Sequence, residues 1–209
     1  MAAVEAVSSE PAQPRPRQVV LVRHGATEWA QDGRHTGWTD VPLNHDGRRQ
    51  AGTLGARLAQ WSFAAVLCSP LQRAVATCEL AGLRGEAQID PDLREWNYGG
   101  YEGMTTAEIR AGRPGWQLWD DGVIGGEMLA QVAARTDRVM AKLRGVHGDV
   151  AVFAHGHLLR VFATRWIGQP ARLAQFVNLS TASVSTLGWE HEWPSITLWN
   201  DTSHLRAPD

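Results

Sequence analysis

Two histidine–glycine steps frame the chemistry open to this chain. Arg23-His24-Gly25 closes the apolar run Val19-Val20-Leu21-Val22, and Ala154-His155-Gly156-His157 closes the run Asp149-Val150-Ala151-Val152-Phe153. An imidazole that is neutral near physiological pH is a competent nucleophile, and an arginine beside it offers planar donors that suit an anion. A third run, 64–68, ends at Ser69-Pro70-Leu71-Gln72-Arg73. Cations are disfavoured in the first turn of a helix, so an arginine there points to an anion nearby. A lone histidine carries little weight, because most are packed or solvated. Two matched strand ends, with Arg23 and Arg73 beside them, predict a site in which His24 attacks phosphorus. By residue type alone, Asp92, Glu95 and Glu102 are equally placed to move a proton there. A metal site built on His24, His155 and His157 finds no support, since no HExxH or similar spacing is present. Cys68 and Cys78 read as buried free thiols.

The elements that must position these residues follow from periodicity. In open α/β sheets, ligands lie beyond the carboxyl ends of the strands, where all three runs place their polar residues. Asn44 predicts the cap of a helix running to about Gln60. It would bury Ala51, Leu54, Gly55, Leu58 and Trp61 and leave Arg48, Arg49 and Arg57 solvated. Ser69 and Pro70 read as N-cap and first residue of a helix to about Ala81, with Leu71, Ala74, Val75 and Cys78 inward. Gln88 to Asp90 suggests a short strand. Pro91 to Gly126, dense in glycine, tryptophan and acids, predicts a cap inserted over the site, with a helix at Thr105–Ala111. Trp96, Trp116 and Trp119 argue that it is ordered. Met128, Val132, Val139 and Leu143 repeat at helical spacing, and Leu158 to Ile167 marks another amphipathic helix. Residues 182–189 and 195–199 predict two closing strands around a turn near Glu192-Trp193-Pro194.

Composition bounds the rest. A chain of 209 residues that is 44% apolar suits one domain with a sizeable core. We expect a single α/β domain over 18–209, with the cap insertion at about 91–126. The formal net charge of −2 argues against a general binder of nucleic acid or anionic membranes. No run is long enough to cross a membrane. Residues 1–17 contain several prolines and no apolar core, and are expected to form a disordered tail rather than a secretory signal. The cytoplasm is the expected compartment. Lys142 is the only lysine, and for most of the arginines a GC-rich genome accounts for the bias.

Four stretches resemble the histidine phosphatase superfamily, the family of cofactor-dependent phosphoglycerate mutases and broad phosphatases. They are Leu21 to Gly25, Ser69 to Ala74, Leu93-Arg94-Glu95-Trp96-Asn97-Tyr98-Gly99 and Phe153 to His157. They occur in the family's order across roughly 18–205, and Trp199 to Leu205 is also similar to its phosphatase members. The resemblance implies a three-layer α/β sandwich with a mostly parallel central sheet flanked by helices. It implies a phosphatase that needs no metal or other cofactor and works through a phosphohistidine at His24. Arg23, Arg73 and His155 would hold the equatorial oxygens, and Glu95 would be the proton donor. Thr36 and Gly37 match the family's substrate loop. Ser69, His157 and Arg160 are further binding candidates. Arg160 would reach a second anionic group, against the plainer reading of a solvated helix arginine.

Mutases carry a Glu-Arg-His-Tyr-Gly sequence where this chain has Glu95-Trp96-Asn97-Tyr98-Gly99, have Asn in place of Ala30, and bear a longer insertion. These departures favour a phosphatase. Leu93 to Ile109, Trp116 to Gly122 and Ala154 to Ala163 are similar to the sugar-bisphosphatase branch, which implies a sugar phosphate or bisphosphate as substrate. The alternatives are a broad-specificity acid phosphatase or an α-ribazole phosphatase-like enzyme, followed by a phosphoglycerate mutase. The implied partner is a small phosphate ester, with no nucleic acid or membrane, and a homo-oligomer is compatible with the sequence.

Overall fold

In the computed structural model, which describes residues 15–206, six strands form one sheet. They are β1 (Gln18–Arg23), β2 (Phe63–Cys68), β3 (Ala87–Ile89), β4 (Asp149–Ala154), β5 (Val184–Glu190) and β6 (Trp193–Asp201), in the order β3-β2-β4-β1-β5-β6. The pairs β1·β4, β2·β4 and β2·β3 are parallel; β5 runs antiparallel to both β1 and β6. The central strand β4 is buried at every residue, as its unbroken run of Val, Ala and Phe requires.

The helices are α1 (Glu28–Gln31), α2 (His45–Leu58), α3 (Gln72–Leu80), α4 (Thr106–Gly112), α5 (Leu118–Asp121), α6 (Leu129–Leu143) and α7 (Gly156–Trp166). Alternate residues of a strand point to opposite faces. Val19, Leu21, Val150 and Val152 therefore pack against Val132 and Val139 of α6 and Leu158 and Phe162 of α7. Val20, Val22, Ala151 and Phe153 meet Leu54 and Leu58 of α2 and Ala74 and Cys78 of α3. Each fully buried Val, Leu or Phe contributes about 1.5–3 kcal/mol. The result is a three-layer α/β sandwich with a mostly parallel sheet.

Register places the chemistry. Arg23 pairs with Ala154 across β1 and β4, and Cys68 pairs with Phe153 across β2 and β4. The ladder runs one residue further: His24 N–H donates to Ala154 O (3.0 Å) and Ser69 N–H to Phe153 O (3.0 Å). His24, Ser69 and His155 thus emerge together at one edge of the sheet.

Asn44 caps α2 by accepting from Gly47 N–H (2.8 Å), and Thr105 with Glu108 forms a capping box on α4. Other expectations are corrected. Ser69 does not cap α3, which begins at Gln72 with Leu71 in the cap position. The Ser69 hydroxyl accepts from Leu71 N–H (3.3 Å) and is shared with His155 Nε2 (2.7 Å), a buried partner that competes with a helix cap. Arg57 is not solvated: its Nε donates to Asp201 (2.8 Å) and its guanidinium lies over Trp61. Met128 is 47% exposed and precedes α6 rather than joining its buried stripe. The hairpin turns at His191, where φ is +55°, and Trp193 and Pro194 already belong to β6.

The expected tail lies outside the described residues over 1–14. Residues 15–17 are attached to the fold: Arg17 pairs with the buried Asp149, Pro16 O accepts from Trp189 Nε1 (3.0 Å), and Arg15 covers the Trp189 ring. Trp96 and Trp116 are buried within 91–126, and each indole N–H has a backbone acceptor, at Glu127 O (2.7 Å) and Gly122 O (2.9 Å).

Candidate active site

A cavity of about 310 Å3 opens at the ends of β1 and β4, and Arg23, His24, Thr36, Glu95, His157 and Arg160 are among the residues that line it. His24 is held twice. Its backbone N–H continues the sheet, and its Nδ1 lies 2.7 Å from Gly25 O. A carbonyl only accepts, so Nδ1 carries the proton and Nε2 keeps its lone pair. Burial lowers the His24 pKa well below the usual histidine value, and the positive charges of Arg73 and then Arg23 push it the same way. The imidazole is neutral near neutral pH.

Arg23 is the immediate cation. One of its terminal N–H groups donates to Leu179 O, while its Nε is buried with no protein partner. A buried guanidinium donor without a partner is the feature expected where an anion binds. Gly156 permits this placement, since a Cβ there would stand 3.2 Å from Arg23 Cζ.

Arg73 and His155 lie behind His24 and do not line the cavity. Arg73 is fully buried. It donates to His155 Nδ1 (3.2 Å), Thr39 O (3.1 Å), Thr36 O (3.3 Å) and Gly37 O (2.7 Å). Because His155 accepts at Nδ1, it donates at Nε2 to Ser69 Oγ. Its pKa is also well below normal, through burial first and Arg73 next. The His24 and His155 rings are 5.1 Å apart, centre to centre.

Of the three candidate acids only Glu95 reaches the cavity. Its carboxylate accepts from the backbone N–H groups of Trp96 (2.8 Å), His157 (2.9 Å) and Leu158 (2.9 Å). Asp92 pairs instead with Arg138 and Lys142 at the surface. Glu102 accepts four backbone N–H groups, from Gly37 (3.1 Å), Trp38 (3.0 Å), Thr39 (3.1 Å) and Tyr98 (3.1 Å). It therefore clamps the loop whose carbonyls hold Arg73. Gly37 sits in that clamp, behind the lining, while Thr36 faces the cavity.

His157 lies 2.5 Å from the Tyr98 hydroxyl at Nδ1. Burial, then Arg160, lowers the His157 pKa well below normal, and burial, then Glu95, raises that of Tyr98 well above. The phenol therefore donates to a neutral imidazole. Arg160 is not a solvated helix arginine. It donates to Ala174 O (2.9 Å) and Gln175 O (3.1 Å), and its guanidinium stands 4.9 Å above the Trp119 ring.

Sequence reasoning passed over Tyr98, His35 and Arg34, which also line the cavity, and the buried organiser Arg135, and it weighed Glu102 as an acid rather than as a clamp. Arg135 donates to Asp92 O (2.8 Å), Arg94 O, Glu95 O (3.0 Å) and Glu127 (2.8 Å), fixing the backbone that carries Glu95. A signal for it existed: Arg135 follows Val132 by three on the buried stripe of α6, where a charge needs partners. For Glu102 no local signal is visible. Among the described residues no group of three or more His, Cys, Asp or Glu side chains is placed to hold a metal ion, and no helix is long and apolar enough to cross a membrane.

Fold and site together define an α/β enzyme with a paired-histidine, guanidinium-rich centre suited to a small anion. The model of the histidine phosphatase superfamily (branch 1) matches residues 19–202; the chain belongs to that superfamily and is a phosphatase. It is 38% identical over 194 residues to an acid phosphatase of Mycobacterium tuberculosis, covering 91% of this chain and 95% of the other. A sedoheptulose 1,7-bisphosphatase of Saccharomyces cerevisiae is 36% identical over 181 residues, which are 71% of this chain and 67% of the yeast protein. The solved structure of an open reading frame product from Mycobacterium tuberculosis superposes with a TM-score of 0.82 at 37% identity, covering 89% of this chain and 98% of the other.

Proposed function

We propose that the protein hydrolyses a sugar phosphate or sugar bisphosphate through a phosphohistidine at His24, without a metal ion. The observation that carries this reading is the His24 tautomer. Nδ1–H is tied to Gly25 O, so the lone pair is left on Nε2, and His24 lines the cavity together with Arg23. Nε2 attacks phosphorus in line and the ester P–O bond breaks. Glu95 gives its proton to the departing alkoxide. The carboxylate then takes a proton from water, whose oxygen attacks phosphorus. The P–N bond breaks, the electron pair returns to Nε2, and inorganic phosphate leaves. Phosphoryl transfer depends mainly on positioning and charge, which Arg23 supplies directly. Arg73 spends four of its five N–H groups on His155 and the 36–39 loop, so it supports the phosphoryl site chiefly by fixed charge and by holding His155.

Two side chains favour hydrolysis over a mutase reaction. Trp96 is buried with its N–H on Glu127 O, and Asn97 Oδ1 accepts from Gly99 N–H (2.9 Å). Both stand where mutases have Arg and His, and neither lines the cavity. The yeast bisphosphatase supports a sugar substrate. Replacing His24 with alanine is expected to remove the acid-labile phosphoenzyme and to cut turnover by about 10^4-fold or more. Retention of either would sink the nucleophile. Assays in EDTA across sugar phosphates, sugar bisphosphates and phosphoglycerates test the substrate class, and activity confined to phosphoglycerates would overturn it.

A further inference from the structure

The carbonyl that fixes the His24 tautomer is itself held from behind. Gly25 O, which accepts from His24 Nδ1–H (2.7 Å), belongs to the peptide that joins Gly25 to Ala26. The N–H of the same peptide, Ala26 N–H, donates to Gln50 Oε1 on α2 (3.0 Å). A trans peptide is planar with its C=O and N–H pointing in opposite directions, so holding one aims the other. Ala26 is buried, so its N–H has no solvent to turn to if Gln50 is lost.

The rest of α2 closes on the same peptide. Ala26 O accepts from Asn44 N–H (3.1 Å), at the cap of the helix. Gly25 and Gly47 meet without side chains: a Cβ on Gly25 would stand 2.3 Å from Gly47 O, and one on Gly47 would stand 2.0 Å from Ala26 O. This glycine pair lets the helix approach to where the Gln50 amide reaches Ala26. The preceding peptide has its own brace. Gly25 N–H donates to Thr77 Oγ1 (3.1 Å), and the buried Thr77 hydroxyl donates to Arg73 O (2.7 Å). Thr77 thus fixes where Gly25 stands, and Gln50 fixes where its carbonyl points.

Hydrogen bonds in series also polarise one another. Ala26 N–H donating to Gln50 makes Gly25 O a better acceptor. A better acceptor draws on Nδ1–H and leaves more electron density at Nε2.

We infer that Gln50 is a positioning residue for the nucleophile: through the Gly25–Ala26 peptide it keeps His24 in the Nδ1–H tautomer with Nε2 free to attack. Gln50 does not line the cavity and touches no reacting atom. Its part in catalysis rests on His24 being the nucleophile, as read above. The tautomer is a property of the resting enzyme and is measured without substrate.

Nitrogen NMR of enzyme isotope-labelled in histidine reads the tautomer of each ring, with the His24 signals identified by their absence from His24→Ala. Native His24 should show a protonated Nδ1 and a bare Nε2. Gln50→Leu, close in size but without an acceptor, should move these signals toward a mixture of tautomers. In rapid-quench measurements it should slow formation of the acid-labile phosphoenzyme by about tenfold, the range for one hydrogen bond. Inhibition by inorganic phosphate should be unchanged, since the contacts of Arg23 and Arg73 stay in place. Gln50→Asn stays polar but is one methylene short, and should behave like Gln50→Leu, so the result does not hang on the folding of one variant. Gln50→Glu keeps an acceptor oxygen and should restore the tautomer and most of the rate. A native tautomer in the Leu and Asn variants would overturn the inference whatever their rates. An equal loss in Gln50→Glu would do the same, by reducing Gln50 to a packing residue. If native enzyme formed no phosphoenzyme, the nucleophile reading would fall while the tautomer shift would still be read, so the two failures are distinct.

Discussion

Glu95 shows how much one side chain can be asked to do. Two of the three N–H groups it accepts, from His157 and Leu158, belong to the first turn of α7. The carboxylate therefore caps that helix from a distant part of the chain and sits at the positive end of its dipole. It also lines the cavity as the proposed proton donor. The two roles separate by experiment. Glu95→Gln replaces one acceptor oxygen with a donor, so at least one N–H contact is lost, at a cost of about 1–3 kcal/mol in stability. That cost does not depend on the substrate. Loss of proton donation does: turnover of sugar phosphates, with poor alkoxide leaving groups, should fall by about 10^2–10^4, and turnover of nitrophenyl phosphate far less. Measured side by side, equal slowing of both esters would reduce Glu95 to a helix cap.

At the scale of elements, the 36–39 loop is the link between a carboxylate outside the cavity and the charge behind it. Glu102 draws three consecutive N–H groups of the loop inward, and the loop's carbonyls then hold Arg73. The fit tolerates only glycine at Gly37, where a Cβ would come within 2.1 Å of Glu102 Oε1 and 2.3 Å of Trp96 O. In Glu102→Gln the new NH2 group would face two backbone donors. At a temperature well below melting, inhibition by inorganic phosphate should weaken about tenfold as Arg73 loses its frame. An unchanged inhibition constant would show that Arg73 holds its place unaided. This chain of contacts also marks the limit of what the sequence discloses. Arg23, His24 and His155 were legible because apolar runs end on them, and strand ends are local features. The helix α4 was legible for the same reason. Glu102, 65 residues from Gly37, has no local signature, and three neighbouring acids look alike until residues 91–126 fold. Ser69 and Arg57 were misread alike: each obeys its local pattern until a partner distant in sequence, His155 or Asp201, claims it.

Across the whole molecule, a chain with a formal charge of −2 keeps its site positive and its site histidines neutral. His24, His155 and His157 are all held well below the usual histidine pKa, by burial first and neighbouring arginines second. His35 and His204 are shifted the same way, again chiefly by burial. Above about pH 6.5 these groups are neutral in both folded and unfolded chains and contribute nothing to the pH dependence of stability. Below it the unfolded chain binds protons that the native fold refuses, so stability falls until the depressed native pKa values are reached. Each fully refused proton contributes a slope of about 1.4 kcal/mol per pH unit, which gives about 4 kcal/mol per unit for the three site histidines. The lowered carboxylates do not enter this window: Asp201, at about 2, and Asp92 lose their contribution only at far lower pH. Denaturant unfolding between pH 5.5 and 7.5 should therefore show stability declining toward acid, and His24→Ala should decline less steeply because one buried base is gone. Identical slopes in the two proteins would mean that the native fold takes up the His24 proton as readily as the unfolded chain, and a histidine protonated in that range would not be an unprotonated nucleophile there.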